Sequence, residues 1–569
     1  MLKYKVIVSI CSSFLLLFLV CVESCDYTTP PPKFDFQIYP NNPTVSGEVE
    51  IYVDIKEPYS SAYVNFMIKS PQIIDLYHDY MAPFSFSIDT SFLENGIYTL
   101  EAEVYTGNFG RKYMNIQVKN CFIDLDGDGY GSKEDFTSCM VRKGGDCNDF
   151  DSKINPSVAE VKDGMDQNCN NLVDEFIPEF SKEVDGWILS DIITLDIDSN
   201  GKEDFIFSTY FPQFFERIEE KSIIYLISDN GEILWQKELT PVFASPLSIG
   251  SGSILFADAA GSVYVLRTTD FEFINTFKIP TKVISTPAIC DSRIVLAGNN
   301  GHIYAYTSEG KKLWESAVNG EVSGNPVVYG KSVLVLSESG NVSLIDCANG
   351  QKIWDKTLNT EISPLLYSPS PTIFSNNNVV IAFGGKVFIL DIASGNKERD
   401  FNFCKDCYMT TPAVDDVDGD GKYEILFTLT TYEEGYSSDW LKIMGFGDLT
   451  ISFPSFVVLI DDDYSIIKKQ TPFVIPAGLK IINHKYIIFP QSNLSISRIG
   501  NIQIALSKLK SKVTILNYSE KSLKNILERG SDGIILNSVR YMDGKLIFPI
   551  SKYEVGKYKS NISVVTFDR

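Results

Sequence analysis

At 569 residues, 44% of them hydrophobic, the chain is long enough for more than one folded unit and apolar enough to fill sizeable cores, which excludes a disordered acidic chain. Its 73 Asp and Glu outnumber 50 Lys and Arg, for a formal net charge of -23. That balance excludes DNA or RNA as a partner, because a phosphate backbone demands concentrated cationic side chains.

Residues 1–20, MLKYKVIVSICSSFLLLFLV, join two early lysines to an apolar run too short for a full membrane span, which is the pattern of a secretory signal. The expected signal segment 1–25 ends in VCVESC, and VES before Cys25 resembles the box at which bacterial lipoproteins are lipidated. That resemblance implies a secreted or cell-surface protein held to a membrane through Cys25. Beyond the signal, Cys121, Cys139, Cys147, Cys169, Cys290, Cys347, Cys404 and Cys407 form an even set suited to an oxidising compartment.

After a Pro-rich linker, 26–33, residues 34–119 alternate apolar and polar positions in short runs such as GEVEIYVDI, SAYVNFMIK and IYTLEAEVY, separated by NN and NG turns. The period of two predicts an antiparallel sandwich. The layout resembles bacterial immunoglobulin-like domains, which implies a spacer or adhesive module.

Residues 120–176 lose that periodicity and carry four cysteines and a strong excess of Asp and Glu. In CFIDLDGDGYGSKEDFTSC, Asp124, Asp126 and Asp128 fall at positions 1, 3 and 5 of a calcium loop, Gly129 at the sharp turn, Tyr130 where a backbone carbonyl is offered, and Asp135 at position 12. Carboxylates this close repel one another without a cation. Asp146, Asn148, Asp149 and Asp151 then precede an Asn-Pro turn. DGMDQNCNNLVDE adds Asp163, Asp166, Asn168, Asn170, the Leu172 carbonyl, Asp174 and Glu175.

The run from DLDGDGYG to NCNNLVDE resembles a secreted metal-binding repeat, MopE-like, built from an aspartate loop, a Gly-Asp-Cys turn and a closing Asn-Cys-Asp-Gly. Here Asn170 and Asn171 replace the last Asp and Gly. The family has copper associations, but this segment has neither His nor Trp, and hard oxygen ligands favour several Ca2+. Pairing Cys121 with Cys139 and Cys147 with Cys169 closes the smaller loops and is expected over the crossed alternatives.

From residue 180 to 569 the chain repeats. GSVYVL from Gly261, GHIYAY from Gly301, GNVSLI from Gly340 and GKVFIL from Gly385 recur at spacings of 40, 39 and 45, with Trp235, Trp314 and Trp354 in equivalent following strands. Repeats of about forty residues with four short strands predict propeller blades, seven or eight of them, depending on whether the last strand closes the first blade. The Gly turn followed by Trp resembles the PQQ-like repeat family.

Two more aspartate loops lie inside this region. DIDSNGKED offers Asp196, Asp198, Asn200, the Lys202 carbonyl and Asp204; DVDGDGKYE offers Asp416, Asp418, Asp420, the Lys422 carbonyl and Glu424. They resemble the calcium loops of FG-GAP, integrin-like repeats, which implies that each fixes the start of the strand that follows.

The expected fold is therefore all-β: an Ig-like sandwich, a small disulfide- and calcium-stapled segment, and a seven- or eight-bladed β-propeller. The expected function is a non-catalytic surface scaffold whose propeller binds an extracellular or envelope protein or glycan. CKDC, Cys404 to Cys407, has dithiol spacing but no following helix and is expected as a structural disulfide. His78, His302 and His484 are scattered. The enzymatic alternative is a PQQ-dependent quinoprotein dehydrogenase acting on alcohols or sugars. Members of that family commonly carry adjacent cysteines, and this chain has none.

Overall fold

The computed structural model describes residues 31–567, apart from 212–219, 359–368, 432–454, 493–509 and pieces of one to five residues that include 135–139, 170–172 and 175. The expected signal segment and Cys25 therefore lie outside the described residues, as do Asp135, Cys139, Asn170, Leu172 and Glu175. The chain divides into two compact units, one formed by residues up to Ile123 together with Lys133–Gly144, the other by Asp124–Ser132 and Gly145–Arg569.

In the first unit, Phe34–Tyr39, Glu48–Ile55 and Phe84–Asp89 form a three-stranded sheet, while Thr44–Val45, Phe109–Val118, Gly96–Tyr105, Tyr63–Ser70 and Ile74–Asp79 form a five-stranded one. The alternation read in the sequence sets their faces: Val64, Phe66 and Ile68 from one strand meet Leu100, Ala102 and Val104 from another in a core that also takes Val49, Ile51 and Val53 from the smaller sheet. The short Thr44–Val45 strand pairs in parallel with Phe109–Val118, whereas every other pairing in these two sheets is antiparallel.

The second unit contains eight sheets of four or five strands among the described residues. The first is composite: Pro178–Asp185 pairs antiparallel with Lys557–Thr566, which continues into Lys545–Glu554 and Arg540–Met542. The second runs from Trp187–Ile188 to Ile233–Leu239, the third from Leu247–Ile249 to Phe273–Lys278, and the fourth from Ala288–Cys290 to Lys312–Ala317. The fifth spans Val327–Tyr329 to Lys352–Thr357, the sixth Thr372–Phe374 to Lys397–Asn402, the seventh Cys407–Met409 to Ile466–Thr471, and the eighth Lys480–Ile482 to Ser522–Asp532.

Successive sheets pack face to face. Ile206 and Leu226 of the second meet Ile254 and Leu266 of the third, Leu426 and Leu459 of the seventh meet Ile487 and Leu516 of the eighth, and Ile488 of the eighth meets Leu546 and Phe548 of the first. A middle strand such as SFVVLI, Ser455–Ile460, is buried along its whole length because both its faces are covered. The outermost strand KIWDKT, Lys352–Thr357, instead buries only Trp354 and leaves most of its other positions exposed.

The repeated Trp and Gly meet across neighbouring sheets. Trp314 Nε1 donates to the Cys347 carbonyl at 2.8 Å and Trp354 Nε1 to the Ile392 carbonyl at 2.9 Å. A Cβ on Gly350 or Gly395 would stand 2.7 or 2.6 Å from those indole rings, and both glycines have positive φ, so the turn tolerates no side chain. A second repeated device runs along the starts of the sheets. The N–H of Asp191 donates to Ser245 Oγ, that of Ser245 to Thr286 Oγ1, of Thr286 to Asn325 Oδ1, of Asn325 to Ser370 Oγ, and of Ser370 to Thr411 Oγ1, all within 3.2 Å. Each acceptor precedes a proline, so the backbone there is extended and holds its side chain toward the previous sheet.

Three disulfides are placed in full. Cys147–Cys169 is the expected staple, Cys404–Cys407 closes the short loop before the strand that starts at Cys407, and Cys290–Cys347 ties the fourth sheet to the fifth. The last closes 57 residues of chain, worth about 4 kcal/mol in the chain-entropy account. Cys121 is also disulfide-bonded.

Candidate metal centres

Among the described residues carboxylates converge in five groups whose ligand oxygens lie within 4.8 Å of one another: Asp124, Asp126 and Asp128; Asp126, Asp146 and Asp149; Asp196, Asp198 and Asp204; Asp416, Asp418 and Glu424; Asp461, Asp462 and Asp463.

The first loop closes because Gly127 and Gly129 adopt positive φ, which lets backbone N–H groups turn inward. Asp124 accepts from Gly127 N–H at 2.7 Å and Gly129 N–H at 3.1 Å, Asp126 Oδ1 from Asp128 N–H at 3.2 Å, and Asp128 Oδ1 from Tyr130 N–H at 2.8 Å. The turn that begins at Gly145 is folded onto this loop. Asp149 accepts from Leu125 N–H at 2.9 Å and Ser132 Oγ at 3.0 Å, and Asn155 Nδ2 donates to Asp128 Oδ2 at 2.7 Å. Asp126 Oδ2 and Asp146 Oδ2 are buried without a hydrogen-bond partner. Burial, with the surrounding aspartates adding repulsion, raises the pKa of both groups from the ordinary aspartate value.

The remaining expected ligands of this segment divide. Asn148 contributes its N–H to Asp146 Oδ1 at 2.8 Å, while Asp151 is exposed and caps the turn at Lys153 N–H. Asp163 accepts from Gln167 Nε2 at 2.7 Å, and Asp174 Oδ1 accepts from Asp163 and Gly164 N–H at 2.9 and 3.0 Å. These two, with Asp166 and Asn168, form none of the converging groups among the described residues. Glu160, which the loop spacing does not mark, supplies Oε1 to Asn168 N–H and Oε2 to Asp174 N–H.

The two loops of the sheet region share one construction. Asp196 takes the N–H groups of Asn200 and Gly201 at 3.0 Å each, Asp198 Oδ1 takes Asn200 N–H at 3.1 Å, and Asn200 Oδ1 takes Lys202 N–H at 2.8 Å. Asp416 takes those of Gly419 and Gly421 at 2.8 and 2.9 Å, Asp418 takes Asp420 N–H at 3.2 Å, and Asp420 takes Lys422 N–H at 2.8 Å. Each loop ends on the first residue of a strand, Asp204 or Glu424, and both are fully buried. Burial pushes the Glu424 carboxyl up to about 7 and raises that of Asp204 as well. Lys202 and Lys422 turn their ammonium groups to Asp229 and Asp462 in the following hairpin turns.

Sequence spacing leaves Asp229 and Asp461–Asp463 unmarked, because they belong to turns one strand further on. Two of the three histidines pair singly, His302 with Glu315 at 2.7 Å and His484 with Asp415 at 2.6 Å.

Residues 220–400 match the family model described as outer membrane protein assembly factor BamB, a PQQ-type repeat, and residues 146–175 match the Cu-binding MopE model of a metal-binding motif. Outer membrane protein assembly factor BamB of Yersinia pestis is 23% identical over 160 residues, which are 25% of this chain and 40% of that protein. The chain thus matches less than half the length of this curated relative. Among solved structures, BamB from Moraxella catarrhalis has a TM-score of 0.45 and 12% identity over 69% of this chain and 100% of that one. The computationally designed Ika8 protein has a TM-score of 0.40 and 12% identity over 67% and 100%. The segment 220–400 is therefore a BamB-like stretch of PQQ-type repeats in an all-β chain. The matched relative is named an assembly factor.

Proposed function

We propose that this is an exported, calcium-binding scaffold whose eight sheets form a closed propeller that binds a protein or glycan partner in the cell envelope. The composite first sheet, in which Pro178–Asp185 joins Lys557–Thr566, carries the closed-ring reading. The two-sheet unit serves as an immunoglobulin-like spacer, residues 120–176 as a stapled link, and Cys25 as the lipid anchor. The name of the relative, an outer membrane protein assembly factor, supports an envelope protein complex as the setting.

Calcium is the cation that fits. The converging groups offer only carboxylate oxygen, Cys147 and Cys169 are held in a disulfide, and buried oxygens on Asp126, Asp146 and Glu424 have no donor. Bound there, calcium would supply charge neutralisation and fix the loop, and the residues of the chain set the geometry around it.

The test is metal analysis and calcium titration calorimetry on the mature chain with its disulfides intact, followed by an absorbance scan. Several calcium ions per chain, melting lowered by EGTA and no quinone chromophore are expected. A bound quinone would turn the reading toward dye-linked alcohol and sugar oxidation, and a chain that binds no calcium would overturn the scaffold's metal chemistry.

A further inference from the structure

We infer that the loop 124–130 and the turn 145–149 hold two divalent cations as one centre, with the Asp126 carboxylate shared between them. This rests on the calcium reading above and extends it, since the spacing alone describes two separate loops.

Asp126 belongs to two converging groups, one with Asp124 and Asp128 and the other with Asp146 and Asp149. Its Oδ1 is engaged by Asp128 N–H, while its Oδ2 is buried with no partner. Asp146, only 5% exposed, repeats the arrangement: Oδ1 takes Asn148 N–H at 2.8 Å and Oδ2 is buried with no partner. The carboxylates of Asp128, Asp126 and Asp149 all add negative charge around Asp146. Two buried carboxylate oxygens without donors, in an acidic surround, need a cation or a shared proton between them, and the proposal is the cation.

A single cation in the first loop does not supply this. Asp124 directs both oxygens to backbone N–H groups of its own loop. Asp146 and Asp149 converge with Asp126, and among the described residues no converging group joins either of them to Asp124 or Asp128. Asp149 is bonded to the first loop at both oxygens, which holds its carboxylate in place before any cation arrives. A carboxylate shared between two cations sets them about 4 Å apart. The donors are all oxygen, so the class of ligand is a hard divalent cation, calcium first.

The centre also joins two pieces of chain that leave and return to the same unit, since residues 133–144 belong to the other one. Filling it fixes both ends of that excursion at once.

The test uses the full mature chain and counts calcium by calorimetry and metal analysis in Asp126→Asn and Asp146→Asn, with Asp198→Asn as a control for the distant loops. The expected result is that Asp146→Asn loses one ion per chain and Asp126→Asn loses two. Loss of a single ion in Asp126→Asn, or no loss in Asp146→Asn as a proton shared by the two carboxylates would give, overturns the shared centre and leaves the calcium reading intact. A wild-type chain that binds no calcium overturns both. Terbium luminescence in the wild-type chain gives a readout that does not depend on variant folding. Loading with mixed terbium and europium should shorten the terbium lifetime, and an unchanged lifetime overturns the proposal.

Discussion

Residues 196–204 and 416–424 are two versions of one loop, and they end differently. Both begin on an aspartate that gathers two backbone N–H groups, turn at a positive-φ glycine, Gly201 or Gly421, and close on a fully buried acid at the head of a strand. Asp204 has a backbone donor for each oxygen, Ile197 N–H at 2.8 Å and Asp229 N–H at 3.1 Å. Glu424 accepts from Val417 N–H at 2.8 Å, but its Oε1 is buried and without a partner. Across the sheet, Ile425 pairs with Ile460, which sets Glu424 beside Asp461; in the other sheet Phe205 pairs with Ile227, and the residue beside Asp204 is Ser228. Like charges opposite one another in a sheet are destabilising. One closing acid has a backbone donor for each oxygen, and the other depends on a cation or a proton.

The largest effect expected from this difference is that of chelation. A site filled at a hundredfold excess over its Kd stabilises by about 2.7 kcal/mol, so stripping calcium should lower Tm. Amide protection should fall more in Glu424–Thr431 than in Asp204–Tyr210. Equal losses in hydrogen exchange would erase the distinction between the loops.

The pH dependence of the chelated protein comes next. Glu424 rises from an ordinary 4.5 to about 7 in the folded chain, so the stability it contributes is full below its unfolded pKa and is lost as pH rises through about 7. Between pH 4 and 8 this amounts to about 3 kcal/mol, visible as a falling Tm that Glu424→Gln flattens and added calcium removes. A Tm that rises over that range in the chelated wild type would contradict the burial argument.

Smaller still is the contrast between Asp204→Ala and Glu424→Ala, measured by urea denaturation in chelator. The first strands two backbone donors, at about 1–3 kcal/mol each, and the second strands one while relieving the repulsion with Asp461. Asp204→Ala should therefore be the more damaging. Replacing Lys202 or Lys422 by Ala should change neither Tm nor calcium affinity measurably, because both ammonium groups are solvent-exposed partners of Asp229 and Asp462.

Much of this was legible in the chain. The alternation of residues 34–119 gives strands facing a shared core, the recurrence of Gly and Trp gives the contacts of Gly350 with Trp314 and Gly395 with Trp354, and loop spacing marks Asp204 and Glu424 as strand heads. What stayed hidden depends on chain segments far apart. Nothing in the local period says that Asp149 will bond Leu125, that Cys290 will find Cys347, or that Ser245, Thr286, Asn325, Ser370 and Thr411 will bond in series. The last of these leaves a trace, a Ser, Thr or Asn before Pro once per repeat, but only the packed sheets give it meaning. Glu160 had no trace at all, since its oxygens serve backbone N–H groups that a loop consensus does not count.

The composite first sheet sets a schedule. Ile177 N–H donates to Thr566 Oγ1 across a sequence separation of 389, so the strand that follows it, Pro178–Asp185, is made long before its partner. At ordinary synthesis rates of 5–20 residues per second that wait is about 20 to 80 s. A bare strand edge left open so long invites pairing with other chains. The sequence PEFSKEVD carries Glu179, Lys182, Glu183 and Asp185 through that interval, and these charges guard the edge until Lys557–Thr566 arrives to cover it.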